Sequence, residues 1–178
     1  MVKALAISGS PSRQSKSKRL LVHALDHLGA KGVSGTVLDL CDLPADDLLG
    51  RRSSRAMEEA FLSVAESRIL LVGTPVYRAS YSGLLKVFFD LLPQDALSGK
   101  VALAVATGAG PAHALVIDHA LRPLLASVGA LVVATGIYGI DGQFLPGGPD
   151  PALLARVDRA VAEVQEVIGH EPVNSVAR

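Results

Sequence analysis

The sequence predicts an α/β fold in which helices cover both faces of a parallel sheet. Five short apolar runs alternate with stretches that repeat apolar residues at helical spacing. Strands that alternate with helices in this way form parallel sheets with both faces buried. The 178 residues are 49% hydrophobic, enough for one well-packed core, and no change in composition divides them. We therefore expect a single domain over residues 1–178.

The apolar runs predict five strands, which are residues 3–8, 35–40, 68–73, 100–106 and 130–138. Amphipathic patterns predict five helices, over residues 15–28, 54–66, 82–92, 111–128 and 151–168. The last helix is clearly signalled, because Asp150 can cap it and Pro151 suits its first position. Residues 139–149 are predicted to form a surface loop, and residues 170–178 a flexible tail.

The loop after the first strand, residues 8–19, combines five serines with four basic residues and opens a helix. Hydroxyls and backbone amides at a helix N-terminus converge on an anion, and Lys16 adds a positive charge within reach. The loop lacks the Gly-x-Gly-x-x-Gly of dinucleotide-binding folds and the Gly-x-x-x-x-Gly-Lys-Ser/Thr of a P-loop. It therefore predicts a site for the phosphate of a mononucleotide, with a solvated basic turn as the alternative.

The third strand ends in a turn shaped by Pro75, which fixes its own φ and pushes the preceding residue toward an extended conformation. Ser80 and Ser82 then offer caps for the next helix. Ligands of parallel α/β sheets lie in crevices at such strand ends. Tyr77 and Arg78 are therefore predicted to line a ligand site, with a half-buried core tyrosine and a solvated surface arginine as the alternatives.

The loop after the fourth strand, residues 106–113, is rich in small residues, which let a flat ligand approach the backbone. In the helix that follows, Pro123 cannot donate to the carbonyl of His119, so we expect the helix to kink or widen there. The alternative for His119 is an exposed position beside an ion pair of Asp118 with Arg122. Three strand-end loops thus carry ligand-type residues at one edge of the predicted sheet.

The charge balance argues against nucleic acid as a partner. Lys plus Arg and Asp plus Glu number 17 each, so the chain has no overall field that would attract a polyanion. No apolar run approaches the roughly 18 residues of a membrane span, and the N-terminus lacks the length and flanks of a signal peptide. Cys41, the single cysteine, is predicted to be a small core residue and suits a reducing compartment. We therefore expect a cytoplasmic protein with no nucleic-acid and no membrane partner.

These loops resemble those of the NADPH-dependent FMN reductases of the flavodoxin-like superfamily, particularly the reductase partners of two-component alkanesulfonate monooxygenases. The resemblance covers most of the chain through Val128. It implies a flavodoxin-like three-layer sandwich whose five-stranded parallel sheet has the order 2-1-3-4-5, with FMN between strands 1 and 3. The most specific blocks are GSP at 9–11, TPVYRASYSGLLK at 74–86, DLLP at 90–93, ATG at 106–108, AH at 112–113 and DHALRP at 118–123.

The resemblance also implies the residues that meet the cofactors, which are FMN and NADPH, with NADH as a second candidate. Arg13 and Arg78 are hypothesised to meet the phosphates of the nicotinamide nucleotide. A second glycine is usual in the family where Ala109 stands, so its methyl group bears on the affinity for flavin. No catalytic side chain is predicted, because the cofactor supplies the chemistry. The residues placed around FMN are Ser10, Ser15, Lys16, Ser17, Pro75, Val76, Tyr77, Arg78, Thr107, Gly108, Ala109, Gly110 and His113.

The implied function is hydride transfer from NAD(P)H to FMN, followed by supply of the reduced FMN to a partner monooxygenase. The resemblance adds a homodimer or a tetramer whose interface contains helices 82–92 and 111–128. It places a π-bulge at His119 and Pro123 in that interface, beside the flavin. Two alternatives stay open, namely an FMN-containing reductase of quinones, azo dyes or metal oxyanions, and a flavodoxin-type electron carrier.

Overall fold

The structure, a computed structural model, describes residues 2–170. Its main sheet is entirely parallel and has the order β2-β1-β3-β4-β5, with β6 also pairing with β4. This is the strand order of flavodoxin-like folds, so the predicted fold class and order are confirmed. The strands are β1 (Lys3–Ser8), β2 (Ser34–Asp39), β3 (Ile69–Pro75), β4 (Val101–Gly108), β5 (Leu131–Val132) and β6 (Ile137–Ile140).

Helices lie on both faces of the sheet. The α-helices are α1 (Lys16–Gly29), α2 (Ala45–Leu48), α3 (Arg55–Glu66), α4 (Gly83–Asp90), α5 (Arg122–Ser127) and α6 (Pro151–His170). Two short 3₁₀ turns cover Leu40–Asp42 and Asp141–Gln143, and β7 (Phe144–Leu145) forms a hairpin with β8 (Gly148–Pro149). A 3₁₀ helix (Pro111–Leu115) and a π-helix (Ile117–Leu121) precede α5.

Alternation along each strand divides the core into two layers. In β1, Leu5 and Ile7 face the layer built with α3, α4 and α5, whereas Ala4 and Ala6 face the layer built with α1 and α6. All four side chains are almost completely buried. Because β1, β3 and β4 are covered on both faces, each of them is a continuous apolar run, which is why the runs predicted these strands well.

The predicted fifth strand is the main difference, since it consists of the two short strands β5 and β6. Between them the Val133 N–H still donates to the Ala102 carbonyl of β4 at 3.0 Å, and the next backbone groups bond to side chains. The Glu163 carboxylate accepts from the N–H groups of Ala134 at 2.6 Å and Thr135 at 2.9 Å, and Arg122 donates to the carbonyls of Val133 and Ala134. These side chains satisfy backbone groups that a continuous strand would otherwise pair.

The helix ends also differ from the sequence prediction. The predicted helix 111–128 is divided into 3₁₀, π and α segments. The predicted helix 82–92 ends at Asp90, and α6 continues through His170, so 169 and 170 belong to a helix and not to a tail. Residues 171–178, which make up the rest of the predicted tail, lie outside the described residues. Within 2–170, no helix combines the length and the apolar character that crossing a membrane requires.

Candidate functional site

A cavity of about 340 Å³ lies at the carboxyl ends of β1, β3 and β4. It is the crevice where the predicted strand-end loops meet, and ligands of doubly wound sheets occupy this position. Most of the residues predicted to surround FMN line it, and three residues that the sequence analysis did not single out, Ser12, Gln14 and Asp141, line it as well. The predicted residues in its wall are Ser10, Ser15, Lys16, Pro75, Val76, Tyr77, Thr107, Gly108 and Ala109.

The serine-rich loop forms one side of the cavity and ends in the N-terminus of α1. Ser15 is the N-cap of this helix, and its Oγ accepts from the N–H of Lys18 at 3.2 Å. The hydroxyls of Ser15 and Ser17 lie 2.9 Å apart, and the Ser10 hydroxyl accepts from the N–H of Ser12. Ser10, Ser15 and Ser17 are all buried. Hydroxyls and first-turn amides at a helix N-terminus form a donor set that suits a phosphate.

Lys16 adds a positive charge at this edge, but Asp141 already pairs with it. The Lys16 ammonium lies 2.9 Å from the Asp141 carboxylate and 5.7 Å from the centroid of the Phe144 ring. An anion that binds at the serine loop therefore competes with Asp141 for Lys16. Asp141 directly follows β6, the last strand of the main sheet, at the edge where a parallel sheet presents ligand-contacting residues.

The loop after β3 is held by a buried threonine and a tight turn. Thr74 Oγ1 accepts from the N–H of Ser82 and donates to the Pro75 carbonyl, both at 2.9 Å. Tyr77 and Ser80 exchange two backbone hydrogen bonds across a two-residue turn.

The two residues inside this turn are Arg78 and Ala79, at φ 50° and 64°, a region that side chains rarely adopt. The turn leaves Tyr77 49% exposed at the rim and keeps Arg78 off the cavity wall.

The loop after β4 approaches its neighbours so closely that Gly108 has no room for a side chain. A Cβ there would lie 2.5 Å from the Tyr138 hydroxyl and 3.3 Å from His113 Nδ1. The Tyr138 hydroxyl donates to the Gly110 carbonyl at 2.7 Å. Burial, and secondarily the negative charge of Asp141, raises the pKa of Tyr138, so its phenol stays protonated and keeps this bond at neutral pH. Gly110 and His113 belong to the same loop but do not line the cavity.

Two other predicted site residues lie outside the cavity wall. Ser17 is fully buried behind Ser15. The Arg13 side chain is 79% exposed, pairs with Asp42 at 2.6 Å and borders a neighbouring groove. The structure therefore brings the serine-rich loop and the loops after β3 and β4 together, and leaves Arg13 and Arg78 exposed outside the cavity wall.

The helix widens at the position that Pro123 predicts. The N–H of Arg122 donates to the Ile117 carbonyl, five residues back, within the π-helix that contains His119. His119 is exposed, and Asp118 and Arg122 form an ion pair of 2.7 Å beside it. The widened turn and the exposed histidine thus occur together, and a role for them in a subunit interface stays a prediction.

Cys41 is half-buried at the end of β2, so it is less enclosed than the sequence predicted. Its thiol donates to Asp39 at 3.3 Å, and Asp39 also accepts from Lys18 at 2.5 Å. Burial, and then this hydrogen bond, raises the pKa of the Cys41 thiol, which disfavours the reactive thiolate. Asp39 is thus engaged by two side chains of this chain, as a lone acid at a strand end commonly is.

A family model, several relatives and a solved structure connect this chain to FMN reductases. The family model described as NADPH-dependent FMN reductase matches residues 2–144. An FMN reductase (NADPH) of Pseudomonas putida strain KT2440 is 40% identical over 154 residues, which are 85% of this chain and 78% of that protein. The NADH-dependent FMN reductase SfnF of Pseudomonas fluorescens strain Pf0-1 is 37% identical over 147 residues, 80% of this chain and 79% of that protein. The crystal structure of an NADH:FMN oxidoreductase (EMOB) in its apo form superposes with a TM-score of 0.88 at 38% identity, over 97% of this chain and 92% of that one.

Proposed function

The chain belongs to the NADPH-dependent FMN reductase family and is an NAD(P)H-dependent FMN reductase, and we propose that it reduces FMN in the cavity at the ends of β1, β3 and β4 and releases the product to a flavin-dependent monooxygenase. One observation carries the location of the site. The serine loop at the start of α1 and the two loops after β3 and β4 meet around a single cavity. Two of these loops present flat, small or apolar walls, and the third presents hydrogen-bond donors.

The residues of this cavity fit a flavin mononucleotide. Ser10, Ser15 and the first amides of α1 are donors for a phosphate, and Lys16 supplies a counter-charge. Pro75 and Val76 form an apolar wall for a ring system, and the small residues at the end of β4 lie beside them and extend this wall. When bound, FMN supplies the hydride acceptor, and the chain is left with binding and orientation.

Hydrogen bonds that tie the loops around the cavity together support this positioning role. The Val76 N–H donates to the Thr107 carbonyl at 2.7 Å, so the walls that follow β3 and β4 are tied together at the cavity. Thr74 and Ser82 bond the start of α4 to the same loop. A flat ligand that lies against these two loops is held by ordered backbone, which is what the alignment of two rings for hydride transfer requires.

We propose that the nicotinamide nucleotide enters over the rim formed by Tyr77 and Arg78, with Arg13 and Arg78 meeting its phosphates. Both arginines are exposed, and they lie on the loops after β1 and β3, two of the three loops that form the cavity. Arg78→Ala should raise the KM for the nicotinamide nucleotide and leave the KM for FMN unchanged. If this substitution left the kinetics with NADPH and the kinetics with NADH unchanged, Arg78 would be removed from the proposal.

The partner and the assembly are further parts of the proposal. A monooxygenase as acceptor rests on the resemblance to the reductases of two-component systems. A homodimer or tetramer through α4 and the helical segment 111–128 is supported by the half-buried Leu84 and Val87 on α4 and by exposed Leu115 in the 3₁₀ helix before the π-helix. Nucleotide substrates and a single free cysteine suit the cytoplasm. Light scattering on a sizing column measures the assembly, and a monomer would contradict the interface.

Steady-state oxidation of NADPH and NADH with free FMN, FAD and riboflavin tests the main proposal. We expect turnover with FMN and loss of FMN during gel filtration, because the product is released. Lys16→Met should raise the KM for FMN and leave that for riboflavin unchanged, whereas Lys31→Met, which removes an exposed charge beyond the other end of α1, should change neither. Absence of turnover with any flavin would contradict the proposal, and FMN retained through gel filtration would favour a reductase with a resident cofactor.

A further inference from the structure

A cluster of two histidines and one aspartate joins α1 to α6, away from the cavity described above. His23 Nε2 lies 2.8 Å from Asp158 Oδ1, and His27 Nδ1 lies 2.9 Å from the same oxygen. His23 and His27 are four residues apart on α1, so both rings project from one face of the helix. Asp158 projects from α6 toward them. Two imidazoles therefore flank one carboxylate oxygen, and all three groups are of the kind that binds metal ions.

The packing beneath the cluster holds the two helices in place. Leu20 and Ala24 of α1 share one buried cluster with Val157 and Val161 of α6. The backbones that carry the three ligating groups are thus positioned by the core, independently of any ion. Positions that are already fixed lower the entropic cost of ligand binding.

From this arrangement, we propose that His23, His27 and Asp158 bind a divalent transition-metal ion of the Zn²⁺, Co²⁺ or Ni²⁺ class. Two histidines at i and i+4 on a helix are a known chelating arrangement, and a carboxylate oxygen completes a three-ligand set. Imidazole nitrogen favours these ions over Mg²⁺ and Ca²⁺, which prefer oxygen ligands.

The side chains can move from their present hydrogen bonds to a metal. The exposed fractions are 32% for His23, 30% for His27 and 37% for Asp158, so an ion reaches them from solution and the rings have room to rotate. Each imidazole nitrogen gives up its hydrogen bond with Oδ1 and offers its lone pair to the ion, and any proton it carried is released. Water from the exposed side takes the remaining coordination position.

Metal binding here would tie together the helix that forms the phosphate loop and the last helix of the fold. His23 lies seven residues after Lys16, about 10 Å along the helix axis. A bound ion adds a cross-link between α1 and α6 to the apolar contacts already present. The expected result is a more stable α1, and through it a more stable fold, whenever the ion is present.

Calorimetric titration of full-length, tag-free protein with ZnCl₂ tests the proposal, with CoCl₂ as a spectroscopic probe. We expect one equivalent of Zn²⁺ to bind, Co²⁺ to develop visible ligand-field absorption, and Tm to rise by about 5–10 °C when free Zn²⁺ reaches 100 times its Kd. MgCl₂ at the same concentration should leave Tm unchanged.

Four variants locate the ion. His27→Gln and Asp158→Asn should each weaken Zn²⁺ binding by about tenfold or more, because each removes a ligand. His119→Gln, a matched loss of an exposed histidine, should bind as the unmodified chain does. Cys41→Ser tests a competing site, the trio Asp39, Cys41 and Asp42, whose ligand atoms already lie within 4.8 Å of one another.

Two results would overturn the proposal. One is the absence of a bound equivalent of Zn²⁺ in the unmodified chain. The other is a pattern among the variants that places the ion elsewhere. Such a pattern is either Zn²⁺ binding that is undiminished in both His27→Gln and Asp158→Asn, or Zn²⁺ binding that is lost in Cys41→Ser alone. Circular dichroism of each variant confirms that a lost signal reflects a lost ligand and not a lost fold.

Discussion

Replacing Asp141 by asparagine should tighten the binding of FMN. Asp141 pairs with Lys16 at 2.9 Å, and both residues line the proposed FMN cavity. A phosphate that takes Lys16 as its counter-charge has to displace this carboxylate. Asp141→Asn removes the competing charge and keeps the size of the side chain, so Lys16 becomes available before FMN arrives.

The size of the effect follows from the exposure of the pair. The side chains of Lys16 and Asp141 are 40% and 51% exposed, and ion pairs at such sites are worth about 0.2–1 kcal/mol. Since 1.4 kcal/mol corresponds to a factor of ten, the Kd for FMN should fall by about 1.4- to 5-fold. The effect should shrink at high salt, because exposed charges are screened.

Fluorescence titration with FMN and with riboflavin measures this effect and its cause. Riboflavin lacks the phosphate, so its Kd should be the same before and after Asp141→Asn. Glu59→Gln is a matched control, because it breaks an exposed ion pair with Arg55 on α3 and lies outside the cavity wall. An unchanged Kd for FMN, or an equal change for riboflavin, would refute the idea that Asp141 competes with the phosphate.

Three other outcomes test the local structure. Ala79→Gly should raise the free energy of unfolding by about 0.5–1 kcal/mol in urea titrations, because the strain that glycine relieves at a φ of 64° exceeds the extra entropy that glycine loses on folding. An unchanged free energy of unfolding would mean that the turn is unstrained. Gly108→Ala should lower that free energy by about 1–3 kcal/mol and raise the KM for FMN, since the new methyl lies 2.5 Å from the Tyr138 hydroxyl, and Tyr138→Phe in the same chain should recover part of the loss. Burial opposes ionisation of Glu163, but hydrogen bonds from Thr135 and Ala134 outweigh it and lower the pKa of Glu163. The ionised carboxylate therefore stabilises the fold fully above pH 4.5, the ordinary pKa of a glutamate, and this contribution is lost as the pH falls from 4.5 through the lowered pKa of Glu163. In urea titrations over this range, the free energy of unfolding of Glu163→Gln should decline less steeply with falling pH than that of the unmodified chain.

The sheet was largely predictable from the sequence, and the side-chain directions in the loops were not. Strands such as β1 and β3 are apolar on both faces, and a run of this kind is visible without knowledge of its neighbours. The break between β5 and β6 depends on Glu163, about 30 residues further along the chain, whose carboxylate takes the backbone N–H groups there. No local pattern reveals such a partner.

The cavity was predictable as a place and less so in its composition. The loops after β1, β3 and β4 were identified because parallel strands bring their carboxyl ends to one edge. Arg78 was expected in the wall, but the positive φ of its turn keeps it off the wall. Asp141 was missed because a single acid in a glycine-rich loop resembles a turn residue, and only the folded chain shows that it reaches Lys16.

The gap between β5 and β6 also bears on how the sheet ends. A continuous strand at the border of a sheet offers a row of free N–H and C=O groups, to which a strand of another molecule can add. Here the row is interrupted between the two short strands, because Arg122 already binds the carbonyls of Val133 and Ala134 and Glu163 the N–H groups of Ala134 and Thr135. The same side chains that interrupt the fifth strand thus protect this border of the sheet against edge-to-edge aggregation.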